Sequence, residues 1–282
     1  MLDTHLQNFI QNAIEEDIGE GDHSSLACIP KSKKGKYRLL IKEDGVLAGI
    51  DIAKKVFSQI DKDIKITIHI PDGKDVKEGD TAFIAEGKIH SLLKAERLVL
   101  NIIQRMSGIA TQTAQYVQKL DGLSTEILDT RKTTPGMRYL EKEAVRLGGG
   151  TNHRMGLYDM IMLKDNHIDF AGGIEKAIRK THKYLKKKDK ILPIVVEARS
   201  LQEIEEILQV EGIDRIMLDN FSVQNTKKAV ELINGKFETE SSGGITLETI
   251  REYAECGVDY ISVGALTHQI KSMGMSLKAI DF

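Results

Sequence analysis

The sequence predicts an α/β protein whose second half is an incomplete (β/α) barrel. Beyond residue 124, six short apolar segments alternate with helical patterns, and a polar residue or glycine closes or follows each segment. Nearly continuous apolar strands are typical of parallel sheets buried on both faces. Right-handed crossovers turn such strands into a barrel or a doubly wound sheet. We favour the barrel because every predicted strand ends at or just before a polar residue or glycine that could serve a site at the mouth. The barrel is predicted to be incomplete because six strands fall short of the usual eight.

Length and composition exclude several classes of protein. With 282 residues, 41% apolar and 29% charged, the chain can bury a large core and form one or two domains. Its N-terminus lacks the basic start and apolar stretch of a signal peptide, and no apolar run reaches the roughly 18 residues of a membrane span. The net charge of −2 gives no reason to expect nucleic acid or a membrane as partner. Cys28 and Cys256 indicate a cytoplasmic protein with reduced thiols.

The first hundred residues predict antiparallel strands with a few helices. An amphipathic pattern predicts a helix over 3–18, and the Asp44-Gly45 turn predicts a hairpin over 36–49. A short helix over 50–60 and strands over 64–70 and 81–89 follow.

A long helical pattern over 92–119 separates this part from the barrel. We expect a break at Ser107-Gly108, because glycine inside a helix costs about 1 kcal/mol against alanine. The predicted domains are therefore 1–107 and 108–270, with 271–282 joining the first.

The predicted barrel strands recur along the chain at a spacing equal to the length of one βα unit. The predicted segments are 125–130, 160–164, 193–198, 215–220, 236–241 and 260–265, with a helix over 137–147 after the first. The residues at or just beyond their ends are Arg131, Lys164, Glu197, Asp219, Ser242 and Gly264. Parallel strands place these ends at one mouth.

Cationic side chains gather at this mouth on a nearly neutral chain. They are Arg131, Lys132, His153, Arg154 and Lys164. Such a cluster favours a small polyanionic substrate, because arginine recognises carboxylate and phosphate with two hydrogen bonds and lysine acts as a point charge. The structural alternative is a set of salt bridges to Glu141, Glu143 or Asp165, with His153 as a satisfied loop histidine.

Two further features of the mouth have both a functional and a structural interpretation. Gly243-Gly244 and the similar turn at 263–269 lie on the last two strands, where barrels often bind phosphate; they could also be plain tight turns. Glu197 and Asp219 could hold ribose hydroxyls or a magnesium ion, or could pair with Arg131 or Lys164.

Taken together, these segments resemble the quinolinate phosphoribosyltransferase family. The matching segments, in family order, are AERLVLN, SGIAT, DTRKTTPGMR, GGGTNHRMGLYDMIMLKDNH, VVEA, IMLDN, ESSGGI and SVGALTH. The resemblance implies transfer of phosphoribosyl from phosphoribosyl pyrophosphate (PRPP) to quinolinate, with Mg²⁺ and loss of CO₂, in NAD synthesis. It also implies an open α/β sandwich before the barrel and a homodimer, which could assemble further.

Site residues follow from the resemblance position by position. Those of the basic substrate pocket are Thr130, Arg131, Lys132, His153, Arg154 and Lys164, with Arg97 supplied by the partner subunit. Those of the phosphate turns are Ser242, Gly243, Gly244, Val263, Gly264, Ala265 and His268. The catalytic set is Lys132, Lys164, Glu197 and Asp219, of which the two acids lie near the ribose and the metal.

Three alternatives stay open from the sequence. A barrel lyase could use Lys164 as a Schiff-base nucleophile. The same pocket could belong to a phosphometabolite sensor without activity. A paralogue could act on another substrate, such as nicotinate.

Overall fold

The structure is a computed structural model and describes residues 2–280. Its strands are, in chain order, β1 Lys34–Ile41, β2 Gly45–Val46, β3 Lys65–Ile68, β4 Asp75–Val76, β5 Thr81–Lys88, β6 Glu126–Leu128, β7 Ile161–Leu163, β8 Ile194–Ala198, β9 Arg215–Asp219, β10 Glu238–Ser242, β11 Tyr260–Ser262 and β12 Met275–Ile280. Its helices are α1 Leu2–Ile18, α2 His23–Cys28, α3 Ile50–Ile60, α4 Ile89–Lys119, α5 Arg138–Leu147, α6 Asp165–Ala171, α7 Ile174–Lys188, α8 Leu201–Leu208, α9 Val223–Ile233, α10 Ile250–Ala254 and α11 Ala265–His268.

Contacts divide the chain into two compact units. The first contains residues up to Ala114, Thr134–Gly149 and the segment from Gln269 onward; the second contains Gln115–Thr133 and Gly150–His268. The sequence placed 134–149 with the barrel, whereas its contacts belong to the first unit. The domain boundary expected at residue 107 stays a prediction. No helix within residues 2–280 combines the length and the apolar character that a bilayer crossing requires.

The first unit is built on an antiparallel sheet with the strand order β12-β1-β5-β3. Alternating side chains of β1 and β5 are buried, and α3 turns Ala53, Val56 and Phe57 inward at helical spacing. Phe57 meets Phe83 of β5 edge to face, with ring centroids 6.0 Å apart. The pairing of β12 with β1 brings the C-terminal strand into this sheet.

The predicted hairpin over 36–49 is wrong. β2 pairs with β4, not with β1. Asp44 accepts hydrogen bonds from Lys77 Nζ and the Glu78 amide, each at 2.9 Å, so it ties two loops together instead of turning a hairpin. Gly45 is required for space, since a Cβ there would lie 2.5 Å from Thr111 Oγ1.

The predicted break in the long helix is also wrong, because α4 runs unbroken through Ser107 and Gly108. A Cβ at Gly108 would lie 2.2 Å from the carbonyl oxygen of Lys271, so the glycine admits a close backbone approach. Ser107 Oγ is buried between the amide and the carbonyl of Ala48, at 2.9 and 3.1 Å. Packing against distant segments therefore explains both residues.

The second unit is a six-stranded parallel sheet with the order β6-β11-β10-β9-β8-β7. This is the chain order arranged around a ring, with β6 and β7 at its two edges. An isolated bridge joins Leu128, the last residue of β6, to Thr151 in the segment before β7. All five residues of β8 are buried. The predicted fold class, an α/β protein with an incomplete barrel, is confirmed. Five of the strands lie inside their predicted segments, and β10 ends one residue later than predicted, at Ser242.

Candidate active site

The carboxyl ends of the parallel strands assemble the predicted acidic and polar residues at one edge of the second unit. Ser242 lies opposite Asp219 in the register of β10 and β9. Leu163 lies opposite Val196, which puts Lys164 level with Glu197. Residues that pair across parallel strands project to the same face of the sheet, so these four side chains share one surface.

Lys164 and Glu197 form an ion pair, with Nζ 3.3 Å from Oε2. The carboxylate is nearly buried, at 7% exposure, whereas the lysine side chain is 48% exposed. The backbone amide of Lys164 donates to His167 Nδ1 at 3.1 Å, which orients the start of α6. This pairing is one of the two interpretations of Glu197, and its contact with ribose or magnesium stays a prediction. Residues 2–280 contain no group of three or more His, Cys, Asp or Glu side chains arranged to hold a metal ion.

Asp129, directly after β6, organises the loop that carries Arg154. Its fully buried carboxylate accepts the His153 amide at 2.8 Å and the Asn152 side chain at 2.7 Å. Arg154 donates to the Met160 carbonyl at 3.3 Å and to Met162 Sδ at 3.6 Å, and both acceptors are uncharged. Burial, together with the neighbouring charge of Arg131, lowers the pKa of Arg154. The carboxylate of Asp159 acts on that pKa in the opposite direction.

Two of the acids named in the structural alternative pair with other arginines. In the first unit, Glu141 accepts from Arg105 Nη2 at 2.7 Å and from the Thr134 amide at 3.1 Å. Glu143 pairs with Arg146 at 2.6 Å. These contacts account for two of the three acids in the structural alternative.

His153 is directed into the protein. Its Nδ1 accepts the Arg154 amide at 2.7 Å, and its Nε2 lies 3.3 Å from Glu240 Oε2. Glu240 is fully buried and also accepts from Arg215 Nη1 at 3.0 Å. Burial alone would raise the pKa of Glu240, but the neighbouring His153, Ser262 and Arg215 side chains outweigh it and hold that pKa below its usual range. Both ring nitrogens of His153 face protein groups, so its contact with substrate stays a prediction.

Lys132 and His268 flank the glycine at the end of β11. A Cβ on Gly264 would lie 3.0 Å from Lys132 Cδ and 3.0 Å from His268 Nε2, so the glycine leaves room between them. Thr130 Oγ1 accepts the Lys132 amide at 3.0 Å, and Thr267 Oγ1 donates to the Lys132 carbonyl at 2.9 Å. This loop and α11 therefore hold each other in place.

Two predicted residues frame the same turn. Val263 donates its amide to the Leu128 carbonyl at 2.9 Å, and Ala265 begins α11. Together they join the ends of β11 and β6 at the mouth.

The predicted phosphate turn after β10 has the backbone that glycine permits. Gly243 and Gly244 have φ angles of +97° and +62°, in the left-handed region. A Cβ on Gly243 would lie 2.2 Å from Asn220 Oδ1, whereas Gly244 has open space beside it. The turn is therefore packed on one side and open on the other.

Arg97 belongs to α4 in the first unit and lines a cavity of about 420 Å³ there. Asp22, Ser25 and Glu96 line the same cavity. Burial raises the pKa of Glu96, opposed by the charges of Arg97 and Lys278. Delivery of Arg97 to the site of a partner subunit stays a prediction.

Asp129, Asn220 and Glu240 contact residues of the predicted site but were not themselves predicted from the sequence. All three stand inside the segments that resemble the family, so the motifs contained them. The pattern used for prediction, which consists of cations, glycines and acids at strand ends, does not identify them as site residues. Asp129 had the strongest signal, as an acid at the very end of a predicted apolar strand.

Comparisons with known proteins agree with this arrangement over nearly the whole chain. Residues 22–107 match the family "Quinolinate phosphoribosyl transferase, N-terminal domain", and residues 109–278 match "Quinolinate phosphoribosyl transferase, C-terminal domain".

Individual relatives are similar in sequence and in structure. A Nicotiana tabacum protein named quinolinate phosphoribosyltransferase [decarboxylating] 1b is 44% identical, over 97% of this chain and 82% of its own. A Bacillus subtilis protein named probable nicotinate-nucleotide pyrophosphorylase [carboxylating] is 40% identical, over 96% and 92%. The crystal structure of NadC from Streptococcus pyogenes superposes with a TM-score of 0.92 at 39% identity, over 97% and 96%. The chain therefore belongs to the quinolinate phosphoribosyl transferase family.

Proposed function

We propose that this protein transfers the phosphoribosyl group of PRPP to quinolinate with loss of CO₂, giving nicotinate mononucleotide and pyrophosphate for NAD synthesis. The observation that carries the proposal is that Lys132 lies beside Gly264 at the end of β11 and Lys164 pairs with Glu197 at the ends of β7 and β8, in a chain of this family. Both substrates are polyanions, and a cationic mouth suits them.

The quinolinate carboxylates are the proposed ligands of the two guanidinium groups. The charge of Arg131 acts on Arg154, and a dicarboxylate bound to both guanidinium groups would offset that repulsion. Lys164 adds a point charge beside them. More cations face the ring site than one carboxylate would need, which favours quinolinate over nicotinate.

PRPP is the proposed ligand of the glycine turns and the acids. The open side of Gly244 suits the 5′-phosphate, and Lys132 and His268 beside Gly264 add donors to the same mouth. Glu197 and Asp219 face the ribose hydroxyls, and Lys132 faces the pyrophosphate. Two carboxylates are also a suitable donor set for Mg²⁺ held mainly by PRPP oxygens, where it would neutralise charge on the leaving pyrophosphate.

The reaction needs electrostatic stabilisation and no covalent intermediate. The bond between ribose C1 and the pyrophosphate oxygen breaks, its electron pair leaves with pyrophosphate, and Lys132 and Lys164 stabilise the charge that develops there. Glu197 and Asp219 stabilise the oxocarbenium-like ribose carbon, which the ring nitrogen attacks. The resulting pyridinium accepts the electron pair of the adjacent C–CO₂ bond, CO₂ leaves, and a proton from water replaces it.

A turnover assay tests the proposal. Purified protein with quinolinate, PRPP and Mg²⁺ should release nicotinate mononucleotide and CO₂, and nicotinate should be a poor substrate in the matched control. Comparable turnover of the two acids would contradict the assignment of quinolinate. Trapping of substrate on Lys164 by borohydride would favour the Schiff-base lyase instead. Location in the cytoplasm stays a prediction.

We further propose a homodimer in which Arg97 completes the quinolinate site of the partner subunit. Arg97→Ala and Lys164→Ala should each be inactive, and subunit exchange between them should restore activity. Half of the randomly mixed dimers are mixed, and each mixed dimer has one intact site, so recovery should approach roughly a quarter of wild type for a closed two-fold dimer.

A matched control tests whether mixing two inactive variants restores activity only when one of them carries the Arg97 defect. Lys164→Ala mixed with Asp219→Ala places both defects in the barrel, so every site keeps one defect and activity should not return. Absence of recovery in the Arg97 mixture, despite proven exchange, would mean that Arg97 acts in its own subunit or not at all. Association beyond the dimer would not change this outcome.

A further inference from the structure

Asn220 has a backbone conformation that its position in the fold does not require. Within residues 2–280, three non-glycine residues have a positive φ: Asp189, Asn220 and Asn234. Asp189 and Asn234 cap the C-termini of α7 and α9, where a left-handed residue is common. Asn220, with φ of +57°, instead follows a barrel strand at the candidate site.

The contacts of Asn220 join two parts of that site. Its Nδ2 donates to Asp219 Oδ2 at 2.8 Å, and its backbone amide donates to the Ser242 carbonyl at 2.8 Å. Its Oδ1 fills the volume that a side chain on Gly243 would need, 2.2 Å from the position of a Cβ there. One residue thus touches the acid of β9 and the glycine turn of β10.

We propose that Asn220 is a positioning residue that sets Asp219 and the Gly243 turn relative to each other; the inference rests on the proposed function. The left-handed conformation aims the amide group at both neighbours at once. A hydrogen bond to one carboxylate oxygen orients the group and leaves Oδ1 of Asp219 for the ribose or the metal. Asparagine meets both requirements, because it tolerates positive φ and carries a donor.

Other residues meet only part of these requirements. Glycine allows the backbone conformation but offers no donor to Asp219. Aspartate tolerates the conformation and keeps the shape, but sets a second carboxylate against the first. Both variants therefore keep the backbone conformation and lose the hydrogen bond to Asp219, so a loss that they share is due to the side-chain amide of Asn220.

Asn220→Gly tests the role directly. We expect kcat/KM for PRPP to fall about 10- to 100-fold, the range of a lost oriented group, with KM for quinolinate and the unfolding midpoint unchanged. Asn220→Asp should lose at least as much. Asn234→Gly is the matched control, since it makes the same change at a left-handed asparagine that caps α9, and it should keep wild-type kinetics.

A double-mutant cycle tests the link to the glycine turn. Gly243→Ala places a Cβ against Asn220 Oδ1 in the wild-type background, but not in the Asn220→Gly background. The alanine should therefore lower kcat/KM for PRPP less in the second background than in the first. If Gly243→Ala lowered kcat/KM for PRPP by the same factor in both backgrounds, the proposed link would be overturned.

The possible results distinguish a failure of this inference from a failure of the proposed function. A wild-type protein that neither turns over nor binds PRPP would overturn both. An active wild type with an equally active Asn220→Gly variant would overturn the positioning role alone. The positioning role would also be overturned if the kcat/KM values of Asn220→Gly for quinolinate and PRPP fell by the same factor. A loss of activity that accompanies a lower unfolding midpoint would overturn it as well, because either result means a purely structural role.

Discussion

The barrel contains two groups of cations that differ in how the chain neutralises them. In the interior, Arg215 lies between Glu238 and Glu240, with both contacts at 3.0 Å, and its guanidinium stacks 3.8 Å above the ring of Tyr260. At the mouth, Lys164 has one carboxylate at 3.3 Å and is half exposed, and Arg154 donates to a carbonyl and a thioether.

The difference separates structural charge from functional charge. A buried charge without a partner is strongly destabilising, so the interior arginine carries its own counter-ions. At the mouth, the half-exposed ammonium group of Lys164 keeps contact with water and can exchange its carboxylate partner for an anionic ligand. Interior substitutions should therefore change stability, and mouth substitutions should change turnover.

The largest expected effect is on turnover, at Lys164. Lys164→Ala should lower kcat/KM by about a thousandfold, roughly 4 kcal/mol, as loss of a charge-stabilising group does. The free energy of unfolding should fall by no more than about 1 kcal/mol, the range of a partly exposed ion pair. Steady-state kinetics and urea unfolding measure both.

Two further variants refine the Lys164 comparison. Lys164→Met keeps the bulk without the charge and should be as inactive as the alanine variant. Lys188→Ala removes an exposed cation at the end of α7 and should leave both quantities unchanged. A Lys164→Ala protein without cooperative unfolding would show that this lysine belongs with the structural group.

The next effect is on stability, at Glu240. Glu240→Gln leaves Arg215 and His153 facing a neutral group in the interior, and we expect the free energy of unfolding to fall by about 3 kcal/mol. Glu238→Gln is the matched control, because it faces the same arginine from a half-exposed position and should cost less. Similar losses for the two variants would mean that burial does not set the strength of this network.

A smaller effect is expected at the phosphate turn. Ser242→Asp places a carboxylate beside Gly243 and should weaken PRPP binding by about 2 kcal/mol through repulsion over a few ångströms. Quinolinate binding should change far less. Ser242→Asn adds similar bulk without charge, so it separates repulsion from crowding. Equal losses of affinity for PRPP and quinolinate would mean that the 5′-phosphate binds somewhere other than this turn.

The smallest expected effect is a pH dependence of the interior network. The pKa of Glu240 is lowered from 4.5 in the folded protein, so its contribution to stability is present above about pH 4.5 and is lost as pH falls through the lower folded value. The difference in unfolding free energy between wild type and Glu240→Gln should therefore narrow below pH 4.5. Urea titrations at several pH values measure it, and a difference that stays constant with pH would contradict a lowered pKa of Glu240.

Much of the barrel could be predicted because its signals are local. Apolar runs ended by Arg131, Lys164 and Asp219 recur at the length of a βα unit, and parallel strands bring such ends together whatever lies between them. The fold class and the location of the mouth follow from that pattern. The family followed from motifs at the same strand ends.

The failures of prediction share one physical cause, which is dependence on a partner remote in the chain. Gly108 suggested a helix break, but its role is set by the carbonyl of Lys271. Asp44-Gly45 suggested a hairpin, but Lys77 and Glu78 bind the aspartate. Local propensities of about 1 kcal/mol yield to tertiary packing.

Residue type and strand end are both local properties, so the amino-acid sequence specifies which charges and glycines the barrel mouth contains. Their pairing depends on contacts between distant segments. Glu197 binds Lys164, His153 turns to Glu240, and Asn220 bonds Asp219 beside Gly243. Most of these partners lie on different strands, and the register that joins those strands is a property of the whole sheet.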